Sequence, residues 1–217
     1  MNAIPQSLLQ NPLIWRGDTL ARSHAVLPTG FSTLDAELPG GGWPKGALTE
    51  FMLARPGIGE MRLLMPALRQ LTGECAWAVL VSPPYLPYTP ALASWGVTLN
   101  RLLLVRVSTL KDQLWACEQA LRSASCGAAL IWLPAIDDRH IRRLQIAAAA
   151  GNSIGMLIRP ASLATGTTWA ALRLQLTPEA GRLGVRILKR RGGGAAPVLR
   201  LDIAHAVDVP AVSPAAA

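Results

Sequence analysis

One stretch restricts the folds open to this chain more than any other. An apolar run over residues 48–53 (Leu48-Thr49-Glu50-Phe51-Met52-Leu53) leads into Ala54-Arg55-Pro56-Gly57-Ile58-Gly59-Glu60-Met61. A segment with helical apolar period follows, with Met61, Leu64, Met65, Leu68 and Leu71 on one stripe. The reading is a buried strand, a glycine loop and a helix beginning near Gly57. This is the layout of a phosphate-binding loop, in which backbone N–H groups and a helix N-terminus cradle the anion. The working chemistry of such a loop is Gly, four residues, then Gly-Lys-Ser/Thr. Aligned on Gly59, this chain has Ala54 at the first glycine, Glu60 at the lysine and Met61 at the hydroxyl. A carboxylate beside phosphate oxygens repels them, and a thioether is a poor magnesium ligand. The frame of the motif is present without its working atoms.

The rest of the chain alternates in the same way. Continuous apolar runs at 76–81, 101–107, 127–133 and 155–158 read as parallel strands covered on both faces. A short helix at 90–95 and amphipathic helices at 111–124 and 138–150 separate them, the first of the long ones turning Leu114, Trp115, Cys117, Ala120 and Leu121 to the sheet. Pro66 predicts a kink or interruption in the helix after the glycine loop. Towards the C-terminus, residues 171–177, 183–189 and 198–203 alternate apolar and polar positions, which predicts half-buried antiparallel strands. The fold class is therefore α/β: a mostly parallel sheet flanked by helices, with a C-terminal antiparallel hairpin. Residues 1–24 read as a helical appendage broken by Pro5 and Pro12, residues 25–205 as the main domain, and residues 206–217 as a flexible tail.

Composition narrows the function classes. Formal net charge is +8, and acidic residues thin out in the C-terminal half, which favours an anionic partner or a solvated basic face. No apolar run reaches the ~18 residues that span a bilayer. The N-terminus lacks the marks of a signal peptide, so a cytoplasmic protein is expected. Cys75, Cys117 and Cys126 form no CxxC pair and read as buried, reduced thiols. The three histidines are scattered, and neither a metal site nor a cofactor is expected.

The segments Thr29-Gly30-Phe31-Ser32-Thr33-Leu34-Asp35 and Gly40-Gly41-Gly42-Trp43-Pro44-Lys45-Gly46 resemble the lead-in to the phosphate loop of RecA recombinases. The phrase Pro56-Gly57-Ile58-Gly59-Glu60-Met61-Arg62-Leu63 resembles the altered loop of the ImuA family, the RecA-like, SulA-like proteins of bacterial SOS mutagenesis cassettes. The resemblance implies a reduced RecA-like core over about residues 25 to 205 with a degenerate phosphate loop. It places Pro84 where such ATPases hold the water-activating carboxylate, and Trp132-Leu133-Pro134 where the magnesium-orienting aspartate would end a strand. Asp137 and Asp138 suit instead the capping and first turn of the next helix. With the lysine, the hydroxyl and both acids replaced, the expectation is a protein that is not an enzyme.

The resemblance further implies a non-catalytic, nucleoid-associated adaptor in damage-induced translesion DNA synthesis and mutagenesis. Its partners would be an ImuB-like Y-family polymerase homologue, an error-prone C-family polymerase and RecA as a further candidate, with self-association and weak DNA binding left open. Arg139, Arg142 and Arg143 share one helix face, either solvated or a contact for an acidic partner or DNA. Arg159 and Trp169 fall where recombinases carry their second DNA loop, and Lys189, Arg190 and Arg191 at a hairpin tip that in RecA reaches a neighbouring subunit. The Tyr85/Tyr88 pair among prolines is a base contact, a partner contact or a stiff loop. Two other functions stay open: a SulA-like division inhibitor that binds the tubulin-like FtsZ, and a residual DNA-stimulated ATPase.

Overall fold

The computed structural model of the chain describes residues 25–133, 136–164, 166–191 and 197–203. The expected appendage at 1–24, the tail at 206–217 and the glycines at 192–194 lie outside them. In chain order the strands are β1 (Val26–Leu27), β2 (Trp43–Pro44), β3 (Ala47–Leu53), β4 (Trp77–Val81), β5 (Leu102–Val105), β6 (Cys126–Trp132), β7 (Ile154–Pro160), β8 (Leu172–Glu179), β9 (Arg182–Lys189) and β10 (Leu199–Leu201). The helices are α1 (Ser32–Asp35), α2 (Glu60–Gly73), α3 (Thr89–Ser94), α4 (Leu110–Arg122) and α5 (Asp138–Gly151).

Strands β3 to β10 form one sheet in the order β10-β9-β8-β3-β7-β6-β4-β5. From β8 to β5 every neighbouring pair is parallel, and β9 and β10 add an antiparallel end. The α/β reading with a C-terminal hairpin is therefore correct. All seven residues of β3 are buried, as a strand between two parallel neighbours and two helical layers requires. The pleat divides them. Phe51 and Leu53 join Leu63, Leu64 and Leu68 of α2 on one face, while Leu48 joins Leu121, Leu144 and Ala148 of α4 and α5 on the other.

The lead-in segment is a packing device. The Thr29 N–H donates to Asp35 Oδ1 at 2.9 Å, and the Phe31 N–H to Thr29 Oγ1 at 3.1 Å, which closes the turn into α1. Leu27 pairs with Trp43, whose ring is fully buried edge-on to Phe51 at 5.5 Å. Gly30 holds φ +86° against Pro66, where a Cβ would lie 2.5 Å from the proline ring. Pro66 is thus a contact surface for the lead-in, and α2 continues through it from Glu60 to Gly73.

Three expectations change. Trp115 is 64% exposed, because Leu114, Cys117 and Leu121 form the buried stripe of α4 and Trp115 lies one residue round from it. Strand β5 is shorter than 101–107, and Leu103 and Leu104 are partly exposed because it is the sheet edge. Cys75 is exposed at the turn after α2, whereas Cys117 and Cys126 are buried, and burial pushes both thiols up to about 12. Among the described residues no helix is long and apolar enough to cross a membrane.

Candidate functional site

The candidate site lies at the carboxyl ends of β3, β4, β6 and β7, where open parallel sheets generally bind ligands. The glycine loop leaves β3 and enters α2 through Gly59 at φ +115°. A side chain there would strike Ile203 Cδ1 at 2.3 Å, so close packing and backbone sign both demand glycine. Glu60, the first residue of the helix, is only 4% exposed. Its carboxylate folds back on the loop. Oε1 accepts the Gly57 N–H at 2.8 Å, and Oε2 accepts the Ile58 and Gly59 N–H groups at 2.9 and 3.2 Å. A helix N-terminus with converging amides favours an anion, and here the chain supplies it. Glu60 does not stand beside a phosphate position; it takes the amides a phosphate would use. Ala54 is exposed, and Met61, the second residue of α2, leans on the core.

The neighbouring positions agree. Pro84 lies in the exposed loop after β4, which begins at Ser82 with φ 51°. Asp137 caps α5, accepting the His140 N–H at 3.1 Å. That N–H and then the Arg139 guanidinium hold its carboxyl below the ordinary range.

Beneath the loop lies an ionic cluster absent from the expectations. Glu50, in the middle of β3, is fully buried. Its Oε1 accepts Arg159 Nη1 at 2.8 Å and its Oε2 accepts Arg173 Nε at 2.7 Å. Arg159 also donates to the Ile136 carbonyl, and Arg173 to those of Ala164 and Gly166. Burial pushes the Glu50 carboxyl up, but hydrogen bonds led by Arg173 outweigh it and leave it below the usual carboxylate value. The signal was in the sequence: a lone Glu inside an apolar strand needs a buried cation, and Arg159 and Arg173 both sit in strand segments. The role of Arg159 therefore changes. It is 7% exposed, and both of its Nη atoms are engaged inside the fold, so it is not an open surface cation.

The other basic residues singled out above scatter over the surface. Arg139 pairs with Asp137 at 3.0 Å, Arg143 with Glu118 at 2.8 Å, and Arg142 lies 4.7 Å over the half-exposed Trp169 ring. Lys189 donates to the Thr168 carbonyl; burial and then the charge of Arg173 hold its ammonium below the ordinary lysine value. Arg190 binds Glu37 at 2.8 Å, and Arg191 lines a separate cavity with Gln145 and Asn152. The structure gathers the loop residues into one place and leaves these cations in several. Among the described residues no cluster of acids, cysteines and histidines suits a metal ion.

A family model described as Cell division inhibitor SulA matches residues 46–155, just over half of the chain. Curated relatives of the same name include one from Edwardsiella piscicida, 36% identical over 98 residues, which are 45% of this chain and 58% of that protein. Another, from Photorhabdus laumondii, is 32% identical over 115 residues, 53% of this chain and 65% of that protein. The SulA of Yersinia pestis strain Pestoides F is 28% identical over 115 residues, 53% and 68% of the two chains. The chain thus spans about three-fifths of the length of the first two relatives. These matches overturn the ImuA reading. The lead-in motifs, residues 29–46, fall outside the matched span except for Gly46 and serve as packing, while the altered loop falls inside it. The polymerase and RecA partners, the DNA contact and the assignment to translesion synthesis fall with that reading. By the extent of the match, the chain belongs to the family of the cell division inhibitor SulA.

Proposed function

We propose that this chain is a cell division inhibitor that acts by binding a protein, the tubulin-like FtsZ, and not by catalysis. Membership of the SulA family carries this reading, because the match covers strands β3 to β6, the altered loop and helices α2, α4 and α5. The non-catalytic part is supported by the loop itself. Glu60 satisfies the amides that would hold a phosphate, and Pro84 and Leu133 offer no acid at the neighbouring strand ends. We read the parallel sheet as a reduced RecA-like core, kept for its shape after loss of nucleotide chemistry. The protein then works in the cytoplasm, where FtsZ assembles.

The test pairs two measurements on the purified chain. Calorimetric titration with purified FtsZ should give a saturable heat with one stoichiometry. Incubation with ATP or GTP, with and without single-stranded DNA, should release no phosphate above the buffer rate. Absence of FtsZ binding removes the partner, and turnover abolished by Gly59→Asp restores an ATPase.

A further inference from the structure

A cavity of about 400 Å³ opens at the carboxyl ends of the parallel strands. Leu53 at the end of β3, Ser82 after β4, Trp132 at the end of β6 and Arg159 in β7 all line it. Its size is within the ~300–1,000 Å³ of ordinary ligand pockets. Leu53 and Ile158 make part of the wall apolar.

Two features of the wall define what it would take. The first is unmet hydrogen bonding. Trp132 Nε1, Arg159 Nε and Ser82 Oγ are buried and have no partner among the described residues. Trp132 and Arg159 are themselves more than nine-tenths buried, and both can only donate. The second is charge. Arg55 and Arg159 belong to the lining, and no Asp or Glu does. Arg55 is exposed and makes no ion pair among the described residues. Arg159 shares the single carboxylate of Glu50 with Arg173, so one positive charge is left over beneath the pocket. The cavity therefore suits acceptor groups and negative charge, joined to something apolar.

The rim decides between a small molecule and a polypeptide. Pro84 continues directly into Tyr85, Leu86 and Tyr88, which are 71%, 68% and 73% exposed. Exposed tyrosines grouped beside a pocket are what protein interfaces bury at their centres. A small ligand enclosed in the cavity would leave them in water, whereas a chain running out of it would cover them.

We propose that the cavity and the Tyr85–Tyr88 rim receive an extended acidic segment of FtsZ, with a carboxylate at Arg55 and an apolar side chain and backbone carbonyls against the Trp132 and Ser82 wall. This rests on the reading that FtsZ is the partner. The test titrates purified FtsZ against the immobilised full chain by interferometry. Four chains are compared: wild type, Arg55→Glu, Tyr85→Ala and, outside the lining at the start of α5, Arg139→Glu. Arg55 and Tyr85 are exposed, and thermal melting checks that each variant folds. Like charge at a closed contact is strongly unfavourable, so Arg55→Glu should weaken binding about tenfold or more, with a flatter salt dependence. Tyr85→Ala should weaken it about fivefold or more, as loss of an interface aromatic does, and Arg139→Glu should stay within about twofold. If wild type binds and both Arg55→Glu and Tyr85→Ala bind equally well, the pocket is not the contact, and the partner reading stands. If wild type does not bind FtsZ, the partner reading falls and this inference with it.

Discussion

Replacing Glu60 by Ala removes one carboxylate that three backbone amides share. A hydrogen bond to a charged group contributes about 1.5–3 kcal/mol. The three bonds do not add in full, because they converge on two oxygens and Gly57 lies exposed, where water replaces the acceptor. Ile58 is 8% exposed, and its amide has the least access to water. One full charge-assisted bond and a fraction of the other two give about 2–3 kcal/mol for Glu60→Ala. Glu60→Gln keeps one acceptor oxygen but turns an amide group towards other donors, and should cost about 1–2 kcal/mol. Urea unfolding followed by tryptophan fluorescence measures both, with the slope unchanged. A second arm separates this mechanism from simple loss of packing. The vacated amides in Glu60→Ala should accept an added oxyanion, so sulfate at ten times its dissociation constant should stabilise the variant by about 1.4 kcal/mol more than wild type. A Glu60→Ala protein within about 0.5 kcal/mol of wild type, with sulfate acting equally on both, would refute the claim that Glu60 holds the loop.

The buried cluster predicts that Glu50→Gln loses about 3–5 kcal/mol in the same unfolding assay, because two guanidiniums are left without their carboxylate. Since the Glu50 carboxyl is held below its ordinary value, its contribution is fully present above the unfolded-state value of ~4.3 and is lost as pH falls through the lower folded value. The stability gap between wild type and Glu50→Gln should therefore be flat at neutral pH and close only in acid. With a maleimide at pH 8, mass spectrometry should find Cys75 modified first, while Cys117 and Cys126, with thiols near 12, react only on unfolding. Asp137→Ala should lower the midpoint of thermal unfolding by loss of the α5 cap, and Asp137→Ser should recover most of the loss.

Elements whose order is local were legible in the sequence. The apolar runs located β3, β4, β6 and β7, the helical period located α4 and α5, and Asp137 announced its own cap, because each signal lies within a dozen residues. The frame of the glycine loop was legible for the same reason. Long-range pairings were not. The two-residue ladder of β1 and β2 exists because Trp43 fills a space against Phe51, and no local period encodes that. Arg159 read as a surface cation because its partner, Glu50, is 109 positions away in sequence and meets it only through the pairing of β3 with β7. Glu60 was read as a carboxylate beside phosphate oxygens; that it folds back onto the loop amides depends on a rotamer, which spacing does not specify. The cavity wall was invisible for a further reason: Ser82, Trp132 and Arg55 belong to separate segments and become one surface only when the strands end side by side.

The central claim, inhibition of FtsZ by binding without nucleotide chemistry in this chain, is tested most directly by FtsZ assembly. Light scattering would follow polymerisation of purified FtsZ on addition of GTP, with the chain present at equal concentration and no ATP in the mixture. Suppression of the scattering by wild type in the absence of ATP is the predicted result. Scattering unchanged by the chain at any ratio, or suppression that requires ATP, would contradict it.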